Sequence, residues 1–306
     1  MGIPKHFADV LIQKPAAVRD GVLDYIGGSD ADYCGNFGDQ WNRFREIQID
    51  SILGSGESHR RFFGETGFDP AWLKGKLILD AGCGAGRFAE VAAECGAFVV
   101  AVDLSTAAYA CAETLERFPS SQYIVVRADL RSLPFKKGAF DAIYSLGVLQ
   151  HTPDPLGIMA GLAKFLAPGG RLATWIYERR KPDIGIIFPR TWIRWVVRRW
   201  PLDAKLTLSK ALTAAFFPFG WLLSWFGRAG ERLSQFLPYA ARHHLGRGNL
   251  AQQWHYGVMD TLDWYGPEFD LPQTEEEVVA AMTESGLVNI RRLPARGMAI
   301  VGTART

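Results

Sequence analysis

The chain has 306 residues and a formal charge of +2, with 48% hydrophobic and 22% charged residues. This balance is close to that of an ordinary globular protein and excludes a strongly basic nucleic-acid coat, and the length suffices to bury a full core without covalent staples. The cysteines Cys34, Cys83, Cys95 and Cys111 form no C-x-x-C pair, which predicts no metal site and suits a reducing cytoplasm.

The opening MGIPKHFADV lacks the apolar stretch of a secretory signal, so a cytoplasmic location is expected. Residues 1–70 read as a helical leader or lid, rich in aromatic and charged side chains. In QWNRFREIQ, Gln40, Trp41, Arg43 and Arg45 recur at helical spacing. Trp41, Phe44 and Ile47 either dock that helix on the surface, or Trp41 or an arginine meets a bound ligand.

From Lys76 a regular rhythm begins. KLILDA, AFVVAVD, QYIVVRAD, FDAIYS and GGRLATWIY read as buried strands, separated by the helical stretches GRFAEVAAECG, STAAYACAETLERF and PLGIMAGLAKFLAPGG. Gly96 and Pro168-Gly169-Gly170 are the expected helix stops. Alternating strands and helices predict a doubly wound, Rossmann-like α/β sheet over residues 71–180, mostly parallel. Residues 181–262 break the rhythm with a Trp- and Arg-rich helical insertion. Residues 263–306 restore it with helix TEEEVVAAMTESG, capped by Thr274 and Glu277, and strands LVNIRRL and MAIVGTA. A short PARG link predicts an antiparallel last strand.

The first strand delivers Asp80 into Gly82-Cys83-Gly84-Ala85-Gly86, where the third glycine of a dinucleotide fingerprint comes one residue early and Arg87 takes its place. Gly82 and Gly84 either cradle a ligand or merely allow close helix–strand packing. Asp103 ends the second strand at the distance that reaches ribose hydroxyls, and Asp129 ends the third, where it can accept from an adenine amine. Each acid alone is equally suited to cap a helix. Together the three make a negative rim that suits S-adenosylmethionine better than a pyrophosphate.

LDAGCGAGRF, VDLS, ADLRSLPF, FDAIYSLGVLQHTPDP and LAPGG resemble, in order, the motifs of class I S-adenosylmethionine-dependent methyltransferases, from Lys76 to Tyr177. FGDQWNRF and DWYGPEFDLPQTEEEV resemble a bacterial group of such enzymes that act on small molecules or glycans. The resemblance implies that Asp80, Gly82 and Gly84 line the methionine part of the cofactor and that Asp103 holds its ribose. Asp129 and Leu130 then border the adenine, Ser145 and Leu146 close the pocket, and Cys83, Arg87 and Leu104 complete the set. Where relatives often carry two histidines, this chain has Gln150 and His151. His151 is the candidate base for an oxygen nucleophile, or else a packed turn residue. Gln150, Trp41, Trp264 and Tyr265 are candidate substrate contacts, although DTLDWYGPEFD reads equally as a packed aromatic turn.

The stretch 184–238 carries an arginine stripe beside an apolar one, then an uncharged run broken by Pro218 and Gly220. A substrate lid, a homodimer surface and a peripheral contact with the inner membrane face all fit it. The expected activity is transfer of a methyl group to an oxygen, nitrogen or carbon of a small molecule with a hydrophobic or glycan part. The alternatives are a nicotinamide-dependent oxidoreductase, an aminopropyl transferase or a non-catalytic cofactor-binding scaffold. A nucleic-acid substrate is disfavoured, because no N-P-P-Y-type motif is present.

Overall fold

The structure, a computed structural model, describes residues 3–27, 35–179, 188–240 and 249–306. Cys34 and residues 184–187 of the insertion lie outside these. The chain divides into two compact units, Met1–Arg179 with Phe269–Thr306, and Arg180–Glu268.

The first unit opens with α1 (Lys5–Ala8), β1 (Ala17–Arg19), β2 (Val22–Asp24), α2 (Gly35–Phe44), α3 (Asp50–Leu53), α4 (Glu57–Thr66) and α5 (Pro70–Leu73). An alternating series follows: β3 (Leu77–Ala81), α6 (Arg87–Glu94), β4 (Phe98–Asp103), α7 (Ala107–Leu115), β5 (Tyr123–Arg127), β6 (Phe140–Leu146), α8 (Pro155–Ala163) and β7 (Leu166–Ile176). The second unit contributes α9 (Pro189–Val197), α10 (Leu202–Ser224), α11 (Gly227–Leu233) and α12 (Leu250–Tyr265). The chain then returns through α13 (Glu275–Glu284), β8 (Leu287–Arg292) and β9 (Met298–Ala304).

The strands order as β1-β2-β5-β4-β3-β6-β7-β9-β8 in one sheet. β2 through β7 pair parallel, β9 runs antiparallel to β7, and β8 antiparallel to β9. This is a Rossmann-like sheet. Its order reverses at β3, whose neighbours are β4 and β6, and ligands of such sheets bind at the strand carboxyl ends beside that reversal. Leu79, Val100, Val102, Val126 and Ile143 face one core, while Ile78, Val99, Ala101, Val125 and Ala142 face the other. Both sheet faces are covered, which explains why the strands read as unbroken apolar runs.

Three expectations need correction. The leader is not wholly helical. Asp20 and Gly21 take left-handed conformations, φ 48° and 77°, as a tight hairpin turn requires. The β1–β2 hairpin they form joins the sheet beside β5, where Arg127 pairs with Asp24 at 3.4 Å. The second correction concerns LAPGG, which opens β7 and does not close the preceding helix, because α8 stops at Ala163. Gly169 has φ 74°, and a side chain on Gly170 would start 2.8 Å from the Ala167 carbonyl oxygen, so this strand start tolerates little else. Third, the insertion runs to Glu268, which places Trp264 and Tyr265 at the end of α12 in the second unit.

Within the second unit α12 packs on α9 and α10. Gly257 permits the approach, since a side chain there would start 3.2 Å from the Thr213 methyl group. Arg194 donates to the carbonyls of Trp264 (2.9 Å) and Pro267 (2.8 Å), and Lys205 Nζ donates to that of Gly266 (3.0 Å). Cations thereby satisfy the orphan carbonyls at the end of α12.

Candidate active site

The turn between β3 and α6 is held by hydrogen bonds within itself and to the end of β4. The Gly82 and Cys83 amides both donate to the Val102 carbonyl, at 2.8 and 2.9 Å, and the Gly86 amide donates to Cys83 O at 2.8 Å. The Gly84 amide donates to Asp103 Oδ2 at 2.9 Å. A diphosphate on a glycine turn needs such amides free. Here four of them are taken, so the turn is a poor diphosphate cradle. All three glycines have positive φ (96°, 52° and 86°). A side chain on Gly82 would overlap Val148, and one on Gly86 would meet Cys111 Sγ at 2.9 Å. Close packing therefore governs Gly82 and Gly86, while a side chain on Gly84 would start 3.5 Å from the indole of Trp41.

The acids behave less alike than a common negative rim implies. Asp80 is buried, and that burial pushes its carboxyl up to about 8. Near neutral pH it is mostly uncharged. Asp129 is gripped by Arg131, whose Nε lies 3.0 and 2.9 Å from its two oxygens and whose amide also donates to it. That leaves Asp103, raised by burial despite bonds from Ser105 and Gly84. Its Oδ1 accepts from Ser105 Oγ at 2.6 Å and Ser105 N at 2.9 Å. A carboxylate has about four acceptor directions, and three are taken here, so room remains for a further hydroxyl donor. The expected discrimination by net charge is thus corrected: occupied turn amides, more than a negative rim, set this site apart from a pyrophosphate site.

Helix α2 lies across the carboxyl end of the sheet. Gly38 sits against Thr106, where any side chain would strike the threonine hydroxyl, and Asn42 Nδ2 donates to Thr106 O and Oγ1 at 3.3 Å each. This docking brings Phe37 to within 5.2 Å of the His151 ring, centroid to centroid, and Trp41 over Gly84. Gln40, on the same helix, is buried, and its Nε2 has no hydrogen-bond partner. Arg45, expected on this helix, lies just beyond it and pairs with Glu113 at 3.1 Å.

His151 follows β6 in a single 3-10 turn, Leu149–His151, before Asp154 caps α8. Its Nδ1 lies 3.1 Å from the Phe269 carbonyl oxygen. That oxygen only accepts, so Nδ1 carries a proton, and in the neutral ring the lone pair falls on Nε2. Tyr177 packs edge-on at 5.4 Å. Beside it Gln150 is fully buried, its backbone carbonyl accepting from Leu271 N at 2.8 Å, while neither side-chain polar atom finds a partner.

Comparison with known proteins supplies the chemistry. Residues 79–174 match the family described as "Methyltransferase domain". This core is a class I S-adenosylmethionine-dependent methyltransferase domain. Curated relatives include the ubiquinone biosynthesis O-methyltransferase of Burkholderia thailandensis, 35% identical over 109 residues (35% of this chain, 45% of that protein). The protein of the same name from Xanthomonas campestris is 38% identical over 102 residues (33% of this chain, 42% of that protein). The chain therefore spans under half the length of the curated relatives it matches. Among solved structures, phosphoethanolamine N-methyltransferase 2 of Haemonchus contortus with S-adenosyl-L-methionine aligns at TM-score 0.45 and 17% identity, over 90% of this chain and 46% of that one.

The methyltransferase domain takes S-adenosylmethionine as cofactor, and the residues present fit that group. Buried polar atoms without partners (Gln40 Nε2, Asp80 Oδ2, both ends of the Gln150 amide) belong to the strand ends around β3 and β6 and to the helix above them. An unpaired buried polar group costs about 1–3 kcal/mol, so such a set is a mark of a ligand site. Other expected contacts are already engaged. Ser145 is buried, donating to Ala81 O at 2.8 Å, which ties β6 to β3. Arg87, expected to touch the cofactor, instead bonds Ser58 Oγ (3.2 Å) and Gln48 Oε1 (3.3 Å) and so holds the leader. Leu104 and Leu146 are buried, Leu130 packs on the core, and burial pushes the Cys83 thiol well up, leaving it protonated.

Trp264 and Tyr265, expected as substrate contacts, have their described partners within the second unit. There Tyr265 Oη donates to Pro238 O at 2.8 Å and Arg190 stacks on the Trp264 ring at 4.9 Å. Phe37, Gly38, Asn42, Arg131 and the Phe269 carbonyl were not foreseen. The Gly-containing helix NFGDQWN offered a faint signal for close docking, whereas a single backbone carbonyl offers none.

Proposed function

We propose that this chain transfers the methyl group of S-adenosylmethionine to an oxygen of a small molecule with an apolar portion. The observation that carries the reading is the 3.1 Å contact of His151 Nδ1 with the Phe269 carbonyl oxygen, which in the neutral ring leaves Nε2 to act as the base. Bound at the glycine turn, the cofactor supplies an electrophilic methyl group and an excellent leaving group. Gly84 and Trp41 bound the space for its methionine part, Asp103 accepts from a ribose hydroxyl, and Asp129, shared with Arg131, borders the adenine. Gln150 orients the acceptor, and His151 Nε2 takes the proton that its hydroxyl must lose. Phe37 and Tyr177, packed on the imidazole, exclude water and hold its plane.

The O-methyltransferase names of the curated relatives support oxygen as the acceptor, and their ubiquinone biosynthesis role supports a ring with an apolar tail. A glycan has no such support and is the lesser reading. The test offers labelled S-adenosylmethionine with a panel of phenols, amines and sugars, with and without alkyl tails. Label should appear in methyl ethers of tailed phenols. Label confined to amines or to sugars would overturn the acceptor assignment.

A further inference from the structure

The second unit buries Val197, Val258, Met259 and Leu262, yet the polarity of α10 is largely turned inside out. On α10 the buried positions are Lys205, Leu206, Ser209, Thr213 and Gly220, all but Leu206 polar or small, while Phe219, Trp221 and Leu222 on the same helix are exposed. A helical bundle in water does the reverse, hiding its bulky apolar stripe. The outward set continues beyond α10, with Trp225 67% and Phe226 64% exposed, and on α9, with Trp195 69% and Trp192 58% exposed. Isolated exposed apolar side chains are ordinary, but an aromatic surface of this extent marks an interaction site.

Charge identifies what it meets. Between Pro189 and Leu233 the chain carries eight Lys or Arg and two Asp or Glu, although its overall charge is only +2. The remainder is therefore net acidic, and the positive charge is gathered where the tryptophans are. Arg198, Arg199, Arg228 and Arg232 are all exposed. Tryptophan with arginine is the composition of the headgroup layer, where indoles sit at the boundary and cations meet anionic lipid. α10 is also long and apolar enough to cross a membrane by length and composition. Pro218 within it and Lys205 and Lys210 near its start favour lying in the interface over spanning.

We propose that the outward face of α9–α11 docks on an anionic lipid bilayer. This stands on the second unit alone and does not depend on the methyl-transfer reading. The test is flotation of the full chain with vesicles of phosphatidylcholine, or of phosphatidylcholine mixed with phosphatidylglycerol, at low and high salt. The expected result is flotation with the anionic vesicles only, a blue shift of tryptophan emission, and release by salt. Arg198→Glu with Arg199→Glu should cut the bound fraction about tenfold or more. Trp195→Ala with Trp225→Ala should weaken binding while leaving the circular dichroism unchanged, since both side chains are exposed. Absence of flotation, or equal flotation with neutral vesicles, would overturn the proposal. So would a lipid-independent dimer in light scattering that the paired tryptophan substitutions dissolve, because the face would then belong to a second copy.

Discussion

A neutral histidine whose Nδ1 faces a backbone carbonyl has one tautomer, and His151 faces such a carbonyl. Replacing it with alanine removes the proposed base but touches none of the groups assigned to the cofactor. His151→Ala is expected to lower kcat about 10²–10⁴-fold with little change in cofactor dissociation constant, a split that single-turnover and binding measurements resolve. An equal loss in both would make it a packing residue. Asp80 makes a different prediction. Its carboxyl, at about 8 in the fold, stands far above the ordinary value of about 3.9. The folded state therefore favours the protonated form. That stabilisation is complete below the ordinary value and is lost as pH rises through about 8. Denaturation midpoints of the native chain should fall between about pH 6 and about pH 9 more than those of Asp80→Asn. Parallel profiles would show that the carboxyl titrates elsewhere.

The elements around the site differ in how plainly the chain spells them. Strands β3 to β7 were legible because burial on both faces demands continuous apolar runs, and the capping box of α13 is present as Thr274 and Glu277 pair reciprocally. The β1–β2 hairpin carried an Asp-Gly signal but only three residues on each side, too short for an alternation to show. LAPGG misled because a glycine pair stops a helix and starts a bulged strand with equal ease. Within the site, the acids at the strand ends were visible while their partners were not. Arg131 beside Asp129 and the Gly84 amide on Asp103 depend on side-chain direction, which spacing alone does not give. The docking of α2 rests on Gly38 in the same way. Gly38→Val should lift the helix from Thr106 and weaken cofactor binding, with the melting temperature of the sheet core little changed. Gly82→Ala should instead destabilise the fold itself, by about 1–3 kcal/mol, because Val148 leaves no room. Calorimetric melting with and without cofactor separates these two outcomes.

Taken together, the chain joins a parallel sheet whose ligand edge was largely readable to a helical unit whose role was not. The first rests on periodicity and glycine placement, which sequence records directly. The second depends on which faces of α9 to α12 are buried, and polarity was a false guide there, since Lys205 and Thr213 are inside and Trp195 and Trp225 outside. The cofactor choice at the sheet edge is the point on which the functional reading stands. Isothermal titration of the full chain with S-adenosylmethionine, S-adenosylhomocysteine and NAD examines it directly. Both adenosyl ligands should bind, with Asp103→Asn weakening them about tenfold, as loss of a charged hydrogen-bond acceptor does, and NAD should give no heat. Tight NAD binding with no response to either adenosyl ligand would contradict it.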